Sequence, residues 1–347
     1  MPELPEVETV VSDLNKKIKG YEIIGFWSAW TKALKGISLK KFQKEITGRQ
    51  VIKVRRIGKN IFIDLSGEKT LYLHLKMTGH LLLKYQKNFQ FPTGRQVSNF
   101  QTNSNNKISP PVATDRLKVK NGKIGNHPLP NPLPKGEGAE KEVDYFADRV
   151  NQYIRHKWML KNGKEDLIME FSDLRKFGKI VLVDTNKIGE LPEIKKLGID
   201  AMDKNFTLEK FKGILSRKNK SVIGIVLMDQ HLIAGIGNIY RSEILFEAGV
   251  DPRRRVESLK NIEIERIFKQ IKEILKKAIK MRGTSDSDYR DTFGKPGRFQ
   301  ELLKVYRREG QMCLVSQSLP KSKKCVNMVK RITLGQRSVF VCDNCQK

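Results

Sequence analysis

Within and just after the start MPELPEVETV, Val7, Val10, Val11 and Leu14 recur at the spacing of a helix with one buried face. Pro5 fits the first turn of that helix, where its missing N–H costs nothing, and glutamates there complement the positive end of the helix dipole. Short apolar, β-rich runs follow: YEIIGFW (21–27), QVIKVRRIGKNIFIDL (50–65), LYLHLKMTGHLLLKY (71–85), DLIMEF (166–171) and KIVLVD (179–184). Glycines interrupt many of them at turn positions, the pattern of an antiparallel sheet or sandwich. Between about Gln86 and Val150 the rhythm breaks. NFQTNSNNKISPP and GNHPLPNPLPKGEGAEKE are rich in Asn, Ser, Pro, Gly and Lys and carry little core. Loops this long inside a domain are functional or disordered. The stretch reads as an inserted, largely disordered excursion between two strands, with a small added lobe or a contacting arm as the alternative.

From Leu208 the pattern turns helical: LEKFKGIL, IGIVLMDQHLIAGIGNIYRSEILFEAG and IEIERIFKQIKEILKKAIK carry spaced aliphatics on charged backgrounds. LGIDAMDKN (197–205) reads as a linker, and the chain closes in a cysteine-bearing hairpin. The expectation is a β-rich half, a helical half and a small metal module.

Charge narrows the class. Across 347 residues, Lys plus Arg number 67 against 38 acids, a net of +29 spread over the predicted helices and strands. Such a field suits polyanions, either nucleic acid or an anionic membrane surface. No segment approaches the roughly eighteen apolar residues of a membrane span, and the acidic, proline-containing start is not a signal peptide. The leading class is a cytoplasmic nucleic-acid protein with no membrane partner; a ribosomal or other structural binder is the alternative.

All four cysteines, Cys313, Cys325, Cys342 and Cys345, lie in the last 35 residues. Such clustering points to one local site in a reducing compartment rather than to disulfide stapling. Cys342 and Cys345 form a C-x2-C knuckle whose thiolates can reach one tetrahedral ion. The sixteen residues between Cys325 and Cys342 read as two strands around a Gly335 turn, a zinc-ribbon hairpin with Arg337 at its tip able to place a cation on a phosphate. The other knuckle is stretched, with eleven residues between Cys313 and Cys325. One structural Zn2+ is expected; a degenerate ribbon that folds without metal is the alternative.

Two further features carry chemistry. The G-x-G-N of GIGNIY has Tyr240 where a dinucleotide fingerprint needs its third glycine, and no clear strand precedes it, so that reading fails. A turn at Gly235 and Gly237 leading into a helix N-terminus suits phosphate instead, with Asn238 adding a side-chain donor; a plain αα-hairpin is the alternative. At the start of the chain, Pro2 would present a free secondary amine once Met1 is removed. An α-amine titrates at about 7.7–8.0, can attack a sugar C1′ and pass through an iminium, and neighbouring carboxylates can shuttle protons. A passive second-position proline is the alternative.

Taken together, MPELPEVETV, RRIGKNIFIDL, HLKMTGHLLL, SDLRKFGKI, LMDQHLIAGIGNIYRSEILFEAG, RGTSDSDYRD, KPGRFQELLKVYRREGQMC and FVCDNCQK resemble the bacterial formamidopyrimidine-DNA glycosylase family, over nearly the whole chain apart from about 86–151. The resemblance implies an α+β protein: an N-terminal β-sandwich with flanking helices (1–196, with the insertion at about 86–151), a helix-two-turn-helix domain (205–300) and a zinc finger (304–347). It casts Pro2 as the nucleophile, Glu3 as proton donor for base loss, Glu6 as support, and Lys59 and Arg337 as phosphate contacts assisting β- and δ-elimination. His74, His156 and Asn238 become DNA contacts, and Met77, Arg175 and Phe177 fill the gap left by an extruded nucleotide, whose flipping costs a few kcal/mol. Thr284 and Ser285 fall in a lesion-recognition loop.

The implied activity is excision of oxidised purines, such as 8-oxoguanine and formamidopyrimidines, followed by β,δ-elimination by a monomer acting on double-stranded DNA with oxidised bases or abasic sites. MPELPE favours this branch over the related pyrimidine-directed one; a non-catalytic damaged-DNA binder is the rival class. Three departures stand out: the insertion, the expanded first knuckle, and Gly224 where the family commonly carries lysine.

Overall fold

The computed structural model describes residues 1–86, 144–163, 165–314 and 325–347. Most of the expected excursion lies outside the described residues; its end, Tyr145–Ala147 and Arg149–Gln152, forms short 3-10 turns.

Helix α1 (Leu4–Ile18) has Pro5 in its first turn and buries Val7, Val10, Val11, Leu14 and Ile18, as the periodicity requires. It is followed by β1 (Glu22–Ser28), α2 (Leu39–Ile46), β2 (Val51–Ile57), β3 (Asn60–Leu65), β4 (Lys69–His74), β5 (Gly79–Gln86), β6 (Ile154–Lys161), β7 (Asp166–Asp173) and β8 (Lys179–Asp184). The strands form two four-stranded antiparallel sheets, ordered β1-β6-β7-β5 and β2-β3-β4-β8. One core joins them: Phe26 and Trp158 from the first sheet, Ile61 and Leu71 from the second, and the buried face of α1. The sheets therefore make a sandwich, with the amino-terminal helix sealing its core.

The helical half comprises α3 (Pro192–Lys195), β9 (Ile199–Asp200), α4 (Leu208–Ser216), α5 (Ile223–Val226), β10 (Ile233–Ala234), α6 (Asn238–Glu247) and α7 (Asn261–Lys280). Its core gathers Phe211, Ile223, Tyr240, Ile244, Ile271 and Leu275, and Leu4 of α1 inserts among them. The 197–205 segment is not a bare linker. It supplies β9, which pairs in parallel with β10, and Asp200, which accepts from Gly58 N at 2.7 Å and from Arg56. Arg56 also meets Glu8 at 2.5 Å. A two-residue strand has no periodicity to betray it, so the composition reads as loop.

Beyond α7, β11 (Lys330–Leu334) and β12 (Arg337–Val341) form a hairpin. Gly335 and Gln336 both have positive φ, 56° and 61°, the two-residue turn whose twist matches that of its strands. Buried Glu243 on α6 docks this module: its carboxylate accepts the backbone N–H groups of Lys304, Val305 and Tyr306 at 2.8, 3.0 and 2.9 Å. Burial pushes the Glu243 carboxyl up, and those three donors pull it back. Among the described residues no helix is long and apolar enough to cross a membrane.

Losing a buried acceptor strands its donors at about 1–3 kcal/mol each. Glu243→Ala should therefore lower unfolding stability by about 3 kcal/mol in urea titration; a loss below about 1 kcal/mol would contradict the docking role.

Candidate active site

The amino terminus lies where sandwich and helical half meet. The Glu3 carboxylate reaches beyond its own helix. It accepts Gly237 N at 2.8 Å, Ile239 N at 3.0 Å and Tyr240 N at 3.5 Å, capping the N-terminus of α6. An anion at the positive end of a helix is stabilised by both donors and dipole. The first N–H groups of this helix are therefore taken by the Glu3 carboxylate, while Asn238 remains on the cavity lining. Glycine is needed at 237, because an added Cβ would lie 2.3 Å from the Glu3 carboxyl carbon. The backbone completes the joint through Leu4 N donating to Gly235 O at 3.1 Å.

Glu6 reaches back to the Glu3 N–H at 2.7 Å. Its other oxygen accepts Thr284 N at 2.7 Å and the Tyr240 hydroxyl at 2.5 Å, and Tyr240 Oη also lies 3.0 Å from Thr284 Oγ1. Burial, helped by the Glu3 charge, pushes the Glu6 carboxyl up to about 7. Lys59, in the turn between β2 and β3, is buried and donates to Ile236 O at 2.9 Å. Burial draws its pKa down, while Glu3 and Glu6 favour its charge.

A cavity of about 250 Å3 opens over this arrangement, lined by Pro2, Glu3, Lys59, Met77, Asn238, Thr284 and Arg337. Seven of the residues singled out in the sequence thus share one wall. Asn238 turns its side-chain oxygen to Arg241. Arg337 is exposed at the start of β12. Asp286, Tyr306 and Arg307 also line the cavity, and Tyr240 lies beneath it; none was singled out, because nothing local distinguishes them. Tyr240 follows Asn238 by two residues in the first turn of α6, where its neighbours in sequence give its hydroxyl no partner.

Other expected residues stand elsewhere. Arg175 and Phe177 occupy the β7–β8 turn, with the guanidinium 4.9 Å from the Phe177 ring centroid. Phe177 is 52% exposed. The Asp173 carboxylate accepts from Thr78 Oγ1 at 2.6 Å, tying that turn to the β4–β5 turn that carries Met77. His74 sits at the end of β4, its Nδ1 accepting Lys76 N at 2.9 Å; burial lowers its pKa to about 3. His156 is a correction. It is 1% exposed within β6, stacks on Phe26 with ring centroids 6.0 Å apart, and meets Ser28 Oγ at 3.0 Å. Alternation along β6 turns its side chain into the sandwich. Ser285 is likewise internal to its loop, its hydroxyl donating to Tyr289 O at 2.7 Å and accepting Gly297 N at 2.9 Å. Gly224 is a packing position: an added Cβ would lie 2.7 Å from Leu334 and 2.8 Å from Pro252 O, leaving no room for a lysine side chain.

The four cysteine sulfurs lie within 4.8 Å of one another. Cys313 and Cys345 Sγ are 3.7 Å apart, and Cys325 and Cys342 Sγ 3.5 Å. A zinc–thiolate tetrahedron with bonds of about 2.3 Å has edges of about 3.8 Å, so the donor set fits such an ion despite the eleven-residue spacing of the first pair.

The fold and site define a class in which an amino-terminal helix, a helical module and a four-cysteine ribbon converge on one cleft. Residues 1–123 match the formamidopyrimidine-DNA glycosylase N-terminal domain, and residues 197–290 the H2TH domain of the same enzymes. The formamidopyrimidine-DNA glycosylase of Carboxydothermus hydrogenoformans is 33% identical over 347 residues, covering 100% of both chains. That of Pelotomaculum thermopropionicum is 31% identical, covering 100% of this chain and 99% of its own. A Lactococcus lactis Fpg mutant solved with Fapy-dG containing DNA is 25% identical with a TM-score of 0.70, covering 100% of both chains. The L. lactis protein solved with abasic-site DNA is similar in fold at 24% identity and the same TM-score of 0.70, covering 99% of both chains. The chain belongs to the formamidopyrimidine-DNA glycosylase family.

Because the Glu6 pKa rises from 4.5 to about 7 on folding, the folded chain keeps a proton that the unfolded chain has lost across that window. Stability then falls as pH rises from about 4.5 to about 7 and levels off above it. The difference in urea stability between the native chain and Glu6→Gln should follow this slope. A difference independent of pH would contradict the buried, protonated state.

Proposed function

We propose that the chain is a bifunctional DNA glycosylase and abasic-site lyase of base excision repair, which removes oxidised purines such as 8-oxoguanine and formamidopyrimidines from duplex DNA and then nicks the strand. The observation that carries this reading is the meeting of Pro2, the buried carboxylate of Glu3 and the basic side chains of Lys59 and Arg337 around one cavity. With Met1 removed, Pro2 becomes a secondary amine. It attacks C1′ of the damaged nucleotide as the C1′–N bond breaks and its electrons pass to the base. Glu3, ringed by N–H donors, takes the proton released by the amine and delivers it to the departing base. The amine nitrogen then expels O4′ as the C1′–O4′ bond breaks and O4′ takes a proton, opening the sugar to an iminium that acidifies C2′. Loss of a C2′ proton expels the 3′ phosphate, and a second elimination expels the 5′ phosphate.

Lys59 and Arg337 stabilise the phosphates during these steps. Glu6 fixes the turn that presents Pro2 and links it, through Thr284, to the loop that faces the lesion. Met77, Arg175 and Phe177 occupy the space vacated by the flipped nucleotide, while His74 and Asn238 support the backbone around it. The cysteine ligands hold one structural zinc, keeping the Arg337 hairpin rigid. The working division is a catalytic sandwich at 1–196, a helical module at 205–300 and the finger at 304–347, in a monomer acting on cytoplasmic DNA.

Borohydride trapping on a duplex with one abasic site, with intact-mass analysis, tests the nucleophile. A covalent adduct mapping to Pro2, lost in Pro2→Gly and in chains that retain Met1, is expected. Tight binding without an adduct would contradict catalysis and leave a binder.

A further inference from the structure

Two arginines sit in left-handed backbone, Arg282 with φ of 62° and Arg307 with φ of 56°. Non-glycine residues adopt that conformation at a cost, so each position keeps a side chain where glycine would be unstrained. Both guanidinium groups hold the 281–291 loop. Arg282 ties the two ends of the loop together and to α1, meeting Asp291 at 2.7 Å and also Asp13. Arg290 ties the closing end to Asp148 at 2.7 Å. Arg307 takes the tip: its Nη1 lies 2.9 Å from the Asp286 carboxylate and donates to the Asp286 carbonyl at 3.2 Å. This anchor is itself fixed, because the Glu243 carboxylate holds the amides of Lys304, Val305 and Tyr306 directly before it.

Asp286 lines the catalytic cavity together with Pro2, Glu3, Thr284 and Ser287. The chemistry gives its carboxylate nothing to do, and a negative charge there repels the phosphates of DNA. Burial raises its pKa, and the Arg307 charge opposes that rise. An exposed guanidinium on a partly buried carboxylate adds little to stability. What the pair supplies is position. One nitrogen holds both the side chain and the backbone of Asp286, and the segment behind it is bonded to α6, so the loop tip is tied to the helix that Glu3 caps. We propose that the Asp286–Arg307 pair is a latch that positions the lesion-facing loop for base loss, so that excision depends on it while elimination at a site already lacking its base does not. The inference rests on the glycosylase and lyase reading given above. Asp286 and Arg307 are then positioning residues, acting through the loop rather than on the reacting atoms.

Three variants take the latch apart. Asp286→Asn keeps the shape and removes the charge, Arg307→Gly removes the guanidinium and accepts positive φ without strain, and Arg307→Lys keeps the cation. Each, and the double variant Asp286→Asn with Arg307→Gly, is compared with the native chain in single-turnover excision of 8-oxoguanine, cleavage at a preformed abasic site and duplex affinity. Thermal unfolding checks the folding of every variant. Asp286→Asn and Arg307→Gly should each slow excision about fivefold, and the double variant no further, because partners in one contact are not additive. Cleavage at the abasic site should fall far less than excision, and Arg307→Lys should recover most of the excision rate. Equal losses of excision and cleavage, losses that add in the double variant, or no recovery with lysine would overturn the proposal. So would opposite effects on duplex affinity, weaker with Arg307→Gly and tighter with Asp286→Asn, which would assign the guanidinium to a phosphate. Absence of 8-oxoguanine excision by the native chain would instead sink the glycosylase reading itself.

Discussion

The carboxylate of Glu3 on the first turn of α6 is the joint on which the rest depends. It is a charge-assisted contact between residue 3 and residues 237–240, buried where neither side has water as a substitute. An ionised group in that setting is tolerable only with donors aimed at it, and orphaned helix N–H groups are costly for the same reason. Each side therefore needs the other. The consequence is positional: residue 2 is fixed at the seam between sandwich and helical half. Helix α1 is shared between them, with Leu4 in one core and Val7, Val10 and Leu14 in the other.

A second layer sits on this joint. Glu6 gathers the Glu3 amide, the Thr284 amide and the Tyr240 hydroxyl, so the amino-terminal turn, α6 and the 281–291 loop meet on one carboxyl group. Lys59 contributes a cation from the sandwich while bonding to the backbone of the Gly235–Gly237 turn. Around the same seam, Arg56 bridges Glu8 and Asp200, and Arg282 bridges Asp13 and Asp291. These partly buried pairs are better understood as setting the register between the halves than as sources of stability, since ion pairs recover little beyond their desolvation and ordering costs. Register is what the chemistry requires: an amine displaced by an ångström loses its line of attack.

How much of this was legible depends on distance along the chain. The α1 periodicity, the β runs, the Gly335 turn and the Cys342/Cys345 knuckle are local patterns, and the fold places them as elements where they were expected. The seam is not local. Nothing near Glu3 reveals that its partners lie 234 or more residues away, so the Gly235–Gly237 turn reads as a phosphate site without showing that its first amides hold the Glu3 carboxylate. His156 failed for a related reason. Strand alternation allows either face, and only the packing of Phe26 shows that the inward one was taken. Gly224 marks a close approach of Leu334 and Pro252 that the sequence around it does not announce. Tyr240 was visible but had no partner to give it meaning until Glu6 and Thr284 were seen beside it.

The central claim is that Glu3 is placed by α6 to move the proton that base loss requires, and that elimination from a preformed abasic site does not depend on it. Single-turnover kinetics of Glu3→Gln, which keeps the shape and one acceptor oxygen, separate the two steps most directly. Excision of 8-oxoguanine from duplex should fall about 100-fold or more, while strand cleavage at a preformed abasic site stays within a few-fold of the native rate. Parallel loss of both activities in a folded variant, or retention of both, would contradict the account.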